Sequence, residues 1–212
     1  MHTIDRWLAH GARLSVLKAG VFLVCLLPLA LLVWQGAHAN LGTNPIEAVT
    51  HRTGEWALRL LLITLTVTPA RRLLGWNFLL RLRRMLGLYA FFYACLHFLT
   101  YVWLDQFFWW GEIGRDIVER PFITVGFAAF VLLIPLAATS TQRMMKRLGR
   151  RWQPLHRLVY VSATLGVLHY LWLVKADVAR PLAYGVLLAA LLAYRAYAHR
   201  RRLNNTAAAR AP

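Results

Sequence analysis

The chain has 212 residues, 59% of them hydrophobic and 16% charged, with nine Trp and a formal net charge of +17. The apolar residues are gathered into runs rather than spread at the spacing of a soluble core, which excludes an ordinary globular domain and reads as an integral membrane protein. The basicity does not indicate a nucleic-acid binder, because most of the Lys and Arg sit in separate clusters between the apolar runs, as a topology signal does.

Arg6, Arg13 and Lys18 lead into an apolar stretch from Leu14 to Gln35. At roughly 20 residues it can cross about 30 Å of hydrocarbon and exceeds the apolar region of a signal peptide, so a retained first helix is expected, with "GAHAN" at 36 to 40 only a weak cleavage candidate. Gly42, Thr43, Asn44 and Pro45 break the chain. A second stretch then runs from Glu55 to Thr68 and is expected to close at the Thr-Pro of 68 to 69, just before Arg71 and Arg72. Arg81, Arg83 and Arg84 precede the third, Leu86 to Leu104. The fourth, Phe122 to Thr139, is opened by Pro121 and contains Pro135, which predicts a kink with a freed carbonyl satisfied by a neighbour. A basic connection with Arg143, Lys146, Arg147, Arg150, Arg151 and Arg157 leads to the fifth, Leu158 to Val174. The sixth, Leu182 to Tyr197, is opened by Pro181 and followed by a basic tail, 198 to 212, with Arg200, Arg201 and Arg202.

Connections of roughly 6 to 20 residues leave no room for a soluble domain, so the expected architecture is one all-α bundle of six transmembrane helices. Seven of the eight acids, Glu47, Glu55, Asp105, Glu112, Asp116, Glu119 and Asp177, fall in the connections that lack the basic clusters. The positive-inside rule then puts both termini in the cytoplasm, with anionic headgroups assisting. No internal repeat is evident, which argues against a transporter built from duplicated halves. Cys25 and Cys95 both lie at membrane depth and read as small buried hydrophobes, and no C-x-x-C-H is present for covalent haem attachment.

Of the eight His, His2, His10 and His199 belong to polar ends, and His38 and His51 to the first outer connection. His97 and His169 lie inside apolar spans, where an ionisable group is costly and marks a functional site by default. At 1.5 Å of rise per residue, His97 is roughly 12 Å below Asp105 and His169 roughly 9 Å below Lys175, so the two imidazoles share a level on parallel helices. On spacing alone two readings stand: a pair of axial ligands for a six-coordinate haem, or two unrelated packing groups. His156 lies roughly 20 Å along the axis from His169 and is turned about 140° away from it, assuming one continuous helix. At its depth span three offers Arg83 and Arg84, so a second bis-histidine site is not written in the chain. Arg59, roughly 10 Å inward from Arg52, either snorkels to the outer surface or meets a haem propionate. Trp103, Trp109, Trp110 and Trp172 read as an interfacial belt.

The stretches "RRMLGLYAFFYACLHFLTY" (83 to 101), "TSTQRMMKRLGRRWQPLHRLVYVSATLGVLHYLW" (139 to 172) and "GTNPIEAVTHRTGEWALRLLLITLTVTPARR" (42 to 72) resemble the MsrQ family, formerly YedZ. That family lies within the ferric-reductase-like transmembrane superfamily, with the NADPH oxidases and metalloreductases. The resemblance implies a haem b subunit of the bacterial inner membrane. It would take electrons from the quinone pool or a cytoplasmic flavin reductase and pass them to a periplasmic molybdopterin subunit, MsrP, that reduces methionine sulfoxide in oxidised envelope proteins. It also implies haem ligation by His97, His169 and His156, the last for a possible second haem, and associates FMN with the family, although no flavin motif is present here. Two departures from the wider superfamily stand out. Span three carries one His where others carry two, and no FAD and nicotinamide domain follows the last span, so electrons are expected from another molecule. The competing readings are a quinol or ferric reductase subunit with another acceptor, and a transporter or assembly scaffold whose histidines bind protons or substrate.

Overall fold

A computed structural model describes residues 11–174 and 177–208, the side chains of Gly11, Arg202 and residues 206–208 excepted. His2, His10, Arg6, Lys175 and the last four residues of the basic tail lie outside the described residues. All described secondary structure is helical. Six long helices are α1 (Gly11–Ala37), α2 (Pro45–Leu74), α3 (Leu79–Thr100), α5 (Pro121–Ala138), α8 (Leu158–Leu173) and α9 (Ala179–Ala208). Three short ones lie between them: α4 (Trp110–Glu119), α6 (Gln142–Leu148) and α7 (Trp152–His156). The principal packing is of α2 on α3 and of α5 on α8; α9 leans on α8 and α2, and α1 on α2 and α3.

Four helical segments are long and apolar enough to span a membrane among the described residues: Ala12–Ala37, Leu79–Asp105, Pro121–Ala138 and Ala179–Asn205. Of the other two expected spans, α8 is 16 residues long. In α2, Glu55, Arg59 and four threonines between 53 and 68 dilute the apolar run. A central helix tolerates this because its neighbours rather than lipid meet its surface: Thr53, Leu58, Leu60, Leu61, Leu62, Thr64, Leu65 and Val67 are all buried. The hydroxyls of Thr53 and Thr64 donate to the carbonyls of Val49 and Leu60 on their own helix. By contrast α1 exposes Val16, Leu23, Val24, Leu27, Leu31, Val33 and Trp34, the surface a lipid-facing helix presents.

The second helix does not close at Thr68-Pro69. Asn44 caps its start by accepting from the Glu47 N–H, and Gly75, left-handed at φ 72°, closes its end on the Arg71 carbonyl. Pro69 is therefore internal and removes the N–H that would serve the Leu65 carbonyl. Arg195 of α9 supplies the missing donor, its Nη2 lying 2.9 Å from Leu65 O. A comparable repair ties down α1 near Pro28. The buried Tyr93 hydroxyl donates to Cys25 O at 2.8 Å and accepts from Leu29 N at 3.1 Å, bridging two groups that one helical hydrogen bond would join.

At the outer end, defined by the acidic connections, α3 continues as a π-helical turn, Tyr101–Asp105. The next residues, Phe107 and Phe108, take positive φ of 45° and 60° to swing the chain into α4. Buried Asp116 of α4 fastens this cap, accepting from Tyr101 Oη and Gln106 Nε2, both at 3.0 Å, and pairing with Arg120 at 3.1 Å. Trp103, Trp109, Trp110 and Trp172 are all exposed, as the belt reading expects. Replacing Tyr93 by Phe removes the bridge to α1 and should cost about 1 kcal/mol. The expected result is a lower unfolding midpoint in detergent with unchanged helix content by circular dichroism. An unchanged midpoint would mean that Leu29 N–H and Cys25 C=O suffice for each other.

Candidate functional site

His97 sits in the last turn of α3, and His169 lies four residues before the end of α8. Their ring centroids are 6.1 Å apart with the planes inclined at 67°. His97 Nδ1 lies 2.9 Å from the Thr50 carbonyl of α2, and His169 Nδ1 lies 2.7 Å from the Phe122 carbonyl of α5. A carbonyl only accepts, so in each ring the proton is on Nδ1 and the lone pair is on Nε2.

These bonds need an opening in the partner helix. Side chains of a helix tilt toward its N-terminus, so the Cβ of residue i+4 lies beside the carbonyl of residue i. Gly54 follows Thr50 by four residues and Gly126 follows Phe122 by four, which uncovers both carbonyls to a second donor. A Cβ on Gly126 would stand 2.6 Å from His169 Nδ1, and one on Gly54 would stand 3.0 Å from His97 Nδ1. The donor and acceptor are 47 residues apart in both cases. One shift of 72 residues carries Thr50, Gly54 and His97 onto Phe122, Gly126 and His169, and "LHFL" (96 to 99) onto "LHYL" (168 to 171). The chain thus contains a repeat of two helical hairpins, α2–α3 and α5–α8, contrary to the sequence expectation. Apart from these landmarks few positions agree, which hides the repeat from composition and periodicity.

The spacing suits a single metal ion. With metal–imidazole bonds of roughly 2 Å and ring nitrogens about 1 Å from their centres, two rings on one ion have centroids about 6 Å apart. Among the described residues no group of three or more His, Cys, Asp or Glu could hold a metal, so a centre needing only two protein ligands is the one these residues fit. Phe98 stacks on Phe130 at 4.9 Å and faces Phe127 at 5.9 Å, giving α3 and α5 an aromatic wall. Phe122 stacks against His169 at 6.3 Å. Beside the Thr50 carbonyl, the Thr50 hydroxyl is buried without a hydrogen-bond partner. These features fit a flat, apolar, iron-bearing macrocycle held by the two Nε2 atoms. His51 is an electrostatic neighbour of both imidazoles, a proximity its position in a connection did not reveal.

Arg59 neither snorkels alone nor stands free. Its Nη2 pairs with Glu55 at 2.9 Å, its Nε donates to Tyr184 Oη at 2.8 Å, and it lies over the Trp56 ring at 5.0 Å. Glu55 also accepts from Tyr170 Oη at 3.1 Å and faces Arg180 at 3.7 Å. Glu55 reads in the sequence as a connection acid, and Tyr170, Tyr184 and Arg180 carry no signal there. In the chain Glu55 directly follows Gly54 and Tyr170 directly follows His169, whereas Tyr184 and Arg180 adjoin no residue of the site.

His156 stands apart from the pair. Its Nε2 meets Thr139 Oγ1 at 3.0 Å, and that hydroxyl donates to Pro135 O at 2.6 Å, so the His156 proton is on Nε2. The ring stacks on Trp152 at 4.0 Å, and Trp152 donates to the Thr139 carbonyl. Burial and the nearby Arg83 cation hold this imidazole below its usual range. The helix from His156 to His169 is interrupted at Arg157, between α7 and α8, although the backbone there stays near helical at φ −72° and ψ −19°. Separation at opposite ends nevertheless holds: Thr139 and Phe122, the two partners, are 17 residues apart on α5, or roughly 25 Å.

The sequence profile of the ferric reductase like transmembrane component matches residues 53–167, which spans α2 to α8 and includes His97 and His156. Among the curated relatives, a protein-methionine-sulfoxide reductase heme-binding subunit MsrQ from Herminiimonas arsenicoxydans is 54% identical over 201 residues, 93% of this chain and 92% of that protein. The chain belongs to the MsrQ family. The Rhodospirillum rubrum member is 58% identical over 182 residues, 84% of this chain and 86% of that one. A Xanthomonas campestris pv. campestris member is 50% identical over 202 residues, 92% of each. Membership in this transmembrane family, together with the four apolar helices, makes the chain a membrane protein.

The two glycines are expected to differ in sensitivity. Gly126→Ala overpacks the His169 ring and should cost about 1–3 kcal/mol, whereas Gly54→Ala has more room and should cost less. Thermal unfolding of the two variants in detergent checks the order, and the reverse order would contradict the described ring positions.

Proposed function

We propose that the chain is the haem b electron-transfer subunit of a bacterial inner-membrane system that reduces methionine sulfoxide in envelope proteins. The observation that carries the reading is the His97–His169 pair, with both Nδ1 protons spent on carbonyls and ring centres 6.1 Å apart. His97 and His169 hold the iron through Nε2, and their carbonyl bonds fix tautomer and ring orientation as outer-shell partners do for metal-bound histidine. Haem b held there would supply a one-electron carrier. Arg59 and Arg180 against the single carboxylate of Glu55 leave the adjoining cluster with one net positive charge, suited to a haem propionate.

In this reading six helices cross the bilayer, with α2 and α8 serving as its interior members and both termini in the cytoplasm. Electrons enter at the basic end from quinol or a cytoplasmic flavin reductase, where His156, its Nε2 held by Thr139, is the candidate ligand of a second haem through Nδ1. They leave at the outer end to a periplasmic molybdopterin subunit of the MsrP type. There methionine sulfoxide, two electrons and two protons give methionine and water, reversing the Met lesion. The names of the relatives, heme-binding subunits of protein-methionine-sulfoxide reductase, support this assignment.

His97→Ala and His169→Ala should each abolish the reducible low-spin spectrum of the outer haem in purified membranes, since either leaves the iron one ligand. His156→Ala should retain that spectrum and slow reduction from the cytoplasmic side; loss of the outer spectrum in all three variants would count against separate sites. Arg59→Leu should lower the haem potential, because removing a nearby cation disfavours the added electron. Redox titration reads this, and an unchanged potential would confine Arg59 to the Glu55 and Tyr184 network.

A further inference from the structure

We propose that a cleft at the basic end of the bundle is a binding site for a phosphate group. It encloses about 480 Å³ between the end of α2, the start of α8 and the middle of α9. Thr68 and Arg72 line it from α2, Arg157 and Tyr160 from the α8 side, and Arg195 and His199 from α9. No carboxylate lines it. None is at hand, because every acid among the described residues lies toward the outer end. The cluster therefore has no counter-ion within the described protein, and three guanidinium groups around one cleft call for an external anion.

The arrangement is preformed. Arg195 is held by its Nη2 on the Leu65 carbonyl, by its Nη1 on Tyr160 Oη and by stacking over the Tyr160 ring at 4.9 Å. With both ends of the guanidinium committed, Arg195 holds its charge in a fixed place beside Arg72 and Arg157. The three guanidinium groups thus converge on one space without an anion of the described protein among them. A phosphate group matches them: it brings negative charge, several acceptor oxygens for Arg fork geometry, and a size well within the cleft. The same chemistry is found on an anionic phospholipid headgroup of the adjoining leaflet and on a soluble phosphate ester.

The test uses the full chain. Native mass spectrometry follows retention of phosphatidylglycerol against phosphatidylcholine, and isothermal titration of delipidated protein follows inorganic pyrophosphate. Arg72→Gln should weaken binding by about tenfold or more. It breaks no described hydrogen bond, unlike Arg195→Gln, which also unseats α9 from Leu65. The basic controls Arg143→Gln and Arg200→Gln lie outside the cleft and should change binding less than about twofold. Selective retention of phosphatidylglycerol assigns the site to a headgroup, and pyrophosphate binding assigns it to a soluble ester; either supports the proposal. Binding of neither, equal retention of phosphatidylcholine, or equal weakening in the controls overturns it. The outcome is independent of the haem reading, because neither measurement involves the histidine pair.

Discussion

The hydrogen bond from an imidazole Nδ1 to a carbonyl on the facing helix sets the outer site, and it makes demands on the rest of the bundle. It fixes which nitrogen keeps a lone pair, so each of the two neighbouring rings keeps Nε2 as its free acceptor. It asks a helix to offer a second acceptor from a carbonyl already used within the helix, and Gly54 and Gly126 leave the room that the imidazole rings need there. It also requires the two helices of each hairpin to approach closely along their length. The tight packing of α2 on α3 and of α5 on α8 meets this need. The uneven burial of the helices follows: interior α2 tolerates Glu55, Arg59 and its threonines, while peripheral α1 is apolar almost throughout.

The charges are organised around the same axis. At the outer end two acids are hubs: half-buried Glu55 gathers Arg59, Tyr170 and Arg180, and buried Asp116 gathers Tyr101, Gln106 and Arg120. A carboxylate shared among several donors recovers in hydrogen bonds what it loses in hydration. At the inner end the described chain has cations and no such hub. Arg195 there repairs a backbone defect, the Leu65 carbonyl that Pro69 leaves without its N–H.

The sequence makes the membrane class, the apolar runs and the shared depth of His97 and His169 legible, because each depends on composition or on a rise per residue. Helix ends are less legible. Thr68-Pro69 has the look of a stop, yet Gly75 is the stop, since α9 satisfies the carbonyl that makes an internal proline costly. Glu55 is one turn from Arg59 on the same helix and legible as an i, i+4 pair, but Tyr170 and Tyr184 come from α8 and α9 and no local pattern joins them to it. The Thr139 partner of His156 lies 17 residues away, at the end of α5, and carries no local signal. The repeat was readable in principle from glycine and histidine spacing, but only once a hydrogen bond had paired them.

The two-hairpin repeat has a bearing on assembly. Each hairpin brings one histidine together with the carbonyl and glycine that orient it, and so forms a complete half-site that can be preorganised alone. Neither half can close a two-ligand centre without the other. A prosthetic group captured there would act as a rivet between the halves, and its binding free energy would count directly toward docking one hairpin on the other. Starvation for the group would then loosen the bundle along a defined seam, between α3 and α5, while leaving each hairpin intact.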